Sequence, residues 1–140
     1  MSTKSIKLKF LNFMLTNGKK YTSEKLLLDS LKIIQKKKKK NSKSIIKLSL
    51  KSVNIILSTI QIKRRKLVTS VPFFLTKSKR LSNSIKLIVK DSISSKKNLP
   101  LGLQDNILKL SENKGDTKSK SISIHTNAFT NKNLSNYRWF

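Results

Sequence analysis

Near the middle of the chain, one stretch reads as strand rather than helix: IQIKRRKLVTSVPFFL, from Ile60 to Leu75. Ile60 and Ile62 alternate with polar neighbours. Leu67, Val68, Thr69, Val71, Phe73 and Phe74 are residue types that fit a pleated surface. Four adjacent cations, Lys63, Arg64, Arg65 and Lys66, separate the two halves, so the stretch predicts a β-hairpin whose charged part points at something anionic. A two-stranded hairpin has no interior and is marginal on its own in water. It needs a carrier, and everything before and after it reads as helix. The expected fold is mainly α: one domain over residues 1–140, of five to six helices, with a protruding β-hairpin arm at about 60–75.

Apolar periodicity places the helices. Ser5 to Thr16 puts Ile6, Phe10, Phe13 and Met14 near one face, and Asn17-Gly18 supplies a stop. Gly18-Lys19-Lys20 then forms a basic turn. Thr22 or Ser23 caps a second helix to about Gln35, with Glu24 in its first turn and Leu27, Leu28, Leu31 and Ile34 as its stripe. The run Lys36, Lys37, Lys38, Lys39, Lys40 reads as a solvated loop or a phosphate-tracking one. Ile46, Leu50, Val53 and Leu57 predict a third helix over Ser42 to Leu57. After the hairpin, Leu81, Ile85, Ile88 and Val89 predict a fourth, over Lys79 to Ser94. Pro100 opens a fifth to about Asn113, carrying Leu103, Ile107 and Leu110, with Gly115 as its stop. A last segment, Ser121 to Asn136, is diluted by Ser and Asn. Pro72 cannot donate to a ladder and belongs at an edge.

Charge narrows the function. The chain carries 32 Lys plus Arg against 6 Asp plus Glu, a net charge of +26. Such a chain repels itself, and a polyanion is the natural counterpart. Only Arg64, Arg65, Arg80 and Arg138 are arginines, the residues suited to bidentate or stacking recognition. There is no cysteine, hence no disulfide framework and no cysteine-ligated zinc. No apolar run approaches the ~20 residues needed to span a bilayer. The one histidine, His125, reads as a surface or hydrogen-bonded residue, and Asp105, Glu112 and Asp116 lack metal-ligand partners at motif spacing. No catalytic constellation is present and an enzyme is not expected, nor is a cofactor, a metal or a small-molecule substrate.

Three blocks of residues resemble a known family. Lys9-Phe10, Asn12, Gly18-Lys19-Lys20, Glu24 and Leu31 resemble the opening helix pair of ribosomal protein seven of the small subunit, the S-seven family of bacteria and organelles. Arg64-Arg65 followed by Val71-Pro72 resembles its hairpin. Asn113-Lys114-Gly115, His125, Ala128, Asn131 and Tyr137-Arg138-Trp139 are similar to its N-K-G, H-x-x-A-x-x-N and terminal Y-R-W. The blocks fall in order over about Lys9 to Trp139. The hairpin is shorter than the bacterial pattern and lacks its Gly-Gly.

The resemblance implies a helical domain with a hairpin arm that binds the 3′ major domain of small-subunit ribosomal RNA and helps assemble the head. It implies head and platform ribosomal proteins as partners, with messenger RNA and exit-site transfer RNA nearby and no membrane. The candidate RNA-contacting residues are Lys7 and Lys9; Gly18, Lys19 and Lys20; the lysines from Lys36 to Lys40; Lys63, Arg64, Arg65 and Lys66; Lys77, Lys79 and Arg80; Lys114, Lys118 and Lys120; and Arg138. Tyr137 and Trp139 are candidates for stacking or partner contact. The rival readings are a generic cationic nucleic-acid binder and a membrane-active amphipathic protein. The acid-free region before Glu24 resembles a transit peptide, but it lacks arginine and reaches a defined stop. A composition rich in Lys, Asn and Ile, without a separate targeting extension, makes a mitochondrial, organelle-encoded protein the expectation, ahead of a plastid or bacterial one.

Overall fold

The computed structural model describes residues 3–39, 41–64 and 67–136. Among these, six α-helices and one antiparallel hairpin follow in the order α1 (Thr3–Met14), α2 (Lys20–Lys38), α3 (Ser42–Ser52), β1 (Leu57–Arg64), β2 (Leu67–Phe74), α4 (Lys77–Ser94), α5 (Leu99–Ser111) and α6 (Asp116–Thr130). A short 3₁₀ turn, Lys132–Leu134, follows α6. The architecture is the expected one, mainly α with a β-hairpin.

α5 is central and packs on α2, α3 and α4. Its stripe, Leu103, Ile107 and Leu110, is buried as its spacing predicts, and so are Ile85, Ile88 and Val89 of α4. Each fully buried Leu or Ile contributes about 1.5–3 kcal/mol of hydrophobic transfer. Pro100 lies in the first turn of α5, where its missing N–H costs nothing. α4 begins two residues before the expected start, because Thr76 caps it by accepting the Lys79 N–H at 3.5 Å.

Serine fills many of the helix contacts. Ser23, Ser30, Ser42, Ser49, Ser84, Ser92 and Ser121 are all buried. Several hydroxyls satisfy themselves on their own helix: Ser30 donates to the Leu27 carbonyl, Ser49 to Ile46 and Ser92 to Ile88. A small side chain with its polar group returned to the backbone lets helices approach closely.

Other boundaries also differ from the sequence reading. α2 starts at Lys20, so Thr22 and Ser23 lie inside its first turn and donate back to the Lys19 carbonyl, at 2.7 and 3.1 Å, instead of capping. Glu24 then falls beyond the first turn. The same helix runs on through Lys36, Lys37 and Lys38 and ends at Lys39, whose left-handed φ of 47° returns its N–H to the Gln35 carbonyl. Lysine is a good helix former and suits the negative end of the dipole, so these three lysines are a helical last turn.

The third helix stops at Ser52 and not at Leu57. Val53, Ile55 and Ile56 are β-branched and lead into β1, and side chains from elsewhere take the orphan carbonyls: Lys118 Nζ donates to Ser52, and Ser84 Oγ to Val53 at 2.9 Å. Finally, Asn113, at φ 58°, turns the chain out of α5, and Gly115, at φ 105°, sits at the N-cap of α6. α6 therefore begins at Asp116, ahead of the expected Ser121. Its inward face is Thr117, Ser121 and Ala128, too polar to register as an apolar stripe.

The hairpin ladder runs from Leu57 opposite Phe74 to Arg64 opposite Leu67. Pro72 faces Thr59, and a two-stranded ladder tolerates its missing donor. The root is buried at Val71 and Leu75, whereas Val68 is 58% and Leu67 74% exposed, so the far half projects from the body.

Candidate RNA interface

The sequence-predicted residues fall into three groups. Lys7, Gly18, Lys19, Lys20, Lys36, Lys39, Lys63, Lys77, Lys79 and Lys114 are exposed, and no salt bridge among the described residues involves these lysines. Gly18 and Asn17 both have positive φ, 72° and 50°, and this places Lys19 and Lys20 at a sharp turn between α1 and α2. These are the cations available to an anionic partner.

The second group is engaged by the protein itself. Lys9 Nζ donates to Ser78 and Ser82 at 3.3 and 3.4 Å, joining α1 to α4. Lys37 lies 4.0 Å from Asp105 of α5, and Lys38 lies 2.5 Å from Glu112 at its C-cap, both reaching across from α2. Arg80 Nε donates to the Leu75 carbonyl at 2.7 Å, behind the hairpin. Lys118 holds the end of α3, and Lys120 pairs with Asp91. These side chains do structural work that the sequence pattern did not expose. The third group, Lys40, Arg65, Lys66, Tyr137, Arg138 and Trp139, together with the side chain of Arg64, lies outside the described residues.

Charge is unevenly distributed. Asp91, Asp105, Glu112 and Asp116 all belong to α4–α6 and their connections, where lysines answer most of them. Lys97 hydrogen-bonds Asp105 and, with Lys37 and Lys109 nearby, holds its carboxyl below the ordinary carboxylate range. The Lys38 hydrogen bond does the same for Glu112.

Of two lysine rows, the sequence reading named only Lys36. On α2, Lys25, Lys32 and Lys36 recur at helical spacing and are exposed; on α3, Lys43, Lys47 and Lys51 recur every four residues and are exposed. The spacing becomes a row only once each helix is set in register, because no two of these lysines are adjacent in the sequence. Between α1, α2 and α3 lies a groove of about 270 Å³ with Ile6, Phe10, Leu27, Leu31 and Ile46 along it and Lys7, Lys43 and Lys47 beside them. It contains no His, Asp or Glu to move a proton. Among the described residues no cluster of three or more metal-ligating side chains occurs, and no helix is long and apolar enough to cross a membrane.

His125 is the hydrogen-bonded residue that its isolation suggests. Half-buried on α6, its Nε2 accepts the backbone N–H of Ile56 at 3.1 Å, just ahead of β1.

A helical body that holds out a hairpin and bears many exposed lysines is the build of a basic scaffold protein. Comparison with known proteins gives the particular family. The family model described as Ribosomal protein S7p/S5e matches residues 2–132. The small ribosomal subunit protein uS7 of Wigglesworthia glossinidia brevipalpis is 33% identical over 135 residues, which span 94% of this chain and 85% of that protein. The chain belongs to the ribosomal protein S7p/S5e family.

Proposed function

We propose that the chain, acting as one unit over residues 1–140, is a structural constituent of the small ribosomal subunit. In this reading it binds the 3′ major domain of the subunit's RNA and helps assemble the head. The family match over residues 2–132 carries the reading. The exposed lysines on the α1–α2 turn, the outer sides of α2 and α3 and the arm support it. No catalytic step, cofactor or small-molecule substrate enters this function.

The mechanism is counterion release with shape recognition. Each lysine that meets a phosphate frees condensed cations, so affinity falls steeply with salt. The deep groove of A-form RNA hides its base edges, so backbone and 2′-hydroxyl contacts dominate. The arm, with the exposed Lys63 near its far end, is assigned to the exit-site and messenger-exit region. Head and platform proteins are the expected neighbours.

The composition, rich in Lys, Asn and Ile, supports a mitochondrial ribosome as the setting, although the relative named above is bacterial. Co-sedimentation of the tagged chain through a sucrose gradient at low and high salt tests the main reading. Recovery in the small subunit after a high-salt wash is expected. Recovery only at the top of the gradient, or on membranes, overturns it. The same gradient run on purified mitochondria and on a whole-cell lysate decides the compartment.

A further inference from the structure

We propose that Tyr21 is a stacking platform for an unpaired base of the RNA, placed at the end of a lysine row that follows the RNA backbone; the inference rests on the ribosomal RNA-binding reading above. Tyr21 is 78% exposed, more than any other exposed large hydrophobic side chain among the described residues. An aromatic ring left in water to that extent contributes little to its own fold. Isolated exposed apolar residues are common and need no explanation, but Tyr21 is not isolated in this sense. It directly follows Lys19 and Lys20, and Lys25 lies one helical turn on.

Its position is fixed. Tyr21 stands in the first turn of α2, and Ser23, 4% exposed, holds that turn by donating to the Lys19 and Met14 carbonyls at 3.1 and 3.4 Å. An aromatic side chain on a held helical turn loses little freedom when a base stacks on it, because only its own two torsions remain to be ordered. Gly18 leaves open space beside the turn: a Cβ added there would meet nothing within 4 Å.

The direction of the helix supplies the rest. Tyr21, Lys25, Leu28, Lys32 and Lys36 succeed one another at steps of three or four residues, and all are exposed; Lys32, 3.8 Å from Asp29 on the same helix, is the one cation of the row that also has a carboxylate neighbour in a salt bridge among the described residues. That is a single outward row about 22 Å long at 1.5 Å per residue. The cations track phosphates; the ring at the end meets a base that has left the helix stack. Unpaired bases in loops and bulges are where RNA is read with specificity, and aromatic faces are what they stack on. The row thus combines backbone affinity with one position sensitive to RNA shape.

Stacking and phosphate contact separate in a salt titration. The probe is a transcript of the 3′ major domain of small-subunit ribosomal RNA, bound by the full chain at several salt concentrations. Tyr21→Ala is expected to weaken binding roughly 5- to 150-fold at every salt concentration, with the slope of log K against log salt unchanged. Tyr21→Phe is expected to bind like the unaltered chain. Lys25→Gln is expected to lower the slope by about 0.7–0.9. Tyr21→Ala binding at full strength, a slope change in that variant, or Tyr21→Phe as weak as Tyr21→Ala would each overturn the stacking role. If the unaltered chain prefers this transcript no more than duplex DNA of equal length, the ribosomal reading itself fails and the inference falls with it.

Discussion

The backbone N–H of Ile56 donates to Nε2 of His125 at 3.1 Å, and this bond begins a relay across the foot of the hairpin. The Ile56 carbonyl accepts the Leu75 N–H at 3.0 Å, and the Leu75 carbonyl accepts Arg80 Nε at 2.7 Å. α6, both strands and α4 are joined in one line. The strand-entry residue and the strand-exit residue are each held by a different helix.

Replacing His125 with Ala removes the acceptor and leaves the Ile56 N–H to find water. The expected cost is about 1 kcal/mol. Amide hydrogen exchange at Ile56 and along β1 should accelerate, while the buried amides of α5 keep their protection. Unchanged exchange at Ile56 would show that the hairpin foot is held without this bond.

Lys118 and Lys36 should respond in opposite ways to the same change. Lys118 closes the end of α3 on the Ser52 carbonyl, whereas Lys36 is exposed and forms no salt bridge among the described residues. Lys118→Met is expected to lower the melting temperature and leave the salt slope of RNA binding intact. Lys36→Met is expected to leave melting unchanged and reduce the slope by about 0.7–0.9. Melting curves and salt titrations on both variants check the pair.

Asp105 links stability to pH. Its carboxyl is held below the ordinary range by the Lys97 hydrogen bond first, then by the charges of Lys97, Lys37 and Lys109. A carboxyl with a depressed folded-state pKa contributes stability above its unfolded pKa and loses it as pH falls through the folded one. Asp105→Asn should therefore be less stable than the unaltered chain at neutral pH, by roughly 0.5 kcal/mol. The difference should close as the solution becomes strongly acidic. Denaturant melts across a pH series measure it, and a difference constant with pH would rule out the ionic origin.

Gly102 lets α5 lie against the end of α4. A Cβ built there would clash with Ser95 Oγ and lie 2.9 Å from the Ser92 carbonyl oxygen. The serine can turn aside, but the backbone oxygen cannot. Gly102→Ala is expected to cost about 1–3 kcal/mol despite alanine's better helix propensity, as read from denaturant midpoints.

The parts of the fold that were legible in the sequence are those in which one residue class does one task. Ile85, Ile88 and Val89, or Leu103, Ile107 and Leu110, mark an inward face by apolarity alone. The hairpin declared itself through β-branched residues on either side of a cationic centre. Legibility failed where a residue served against type. Thr117 and Ser121 face inward on α6, so its start was misplaced. Val53 satisfied both a helical and an extended spacing, and only the paired strand and the captured carbonyls decided between them. Lys37, Lys38, Lys118 and Lys120 look like any other lysines until the folded chain brings each one opposite a carboxylate or a carbonyl. Tyr21 leaves no mark in the sequence because a single aromatic after two lysines forms no run and no period.

The hairpin's fixed foot also gives the molecule a mechanical property. Each strand spans eight residues, so the arm reaches about 27 Å at 3.4 Å per residue. With entry and exit clamped to α6 and α4, the arm turns as the helices turn. A tilt of the body by about 5° would sweep the far end through roughly 2 Å of arc at that length. The arm is a pointer on a gauge, and a small error in how the helices seat is magnified at its end.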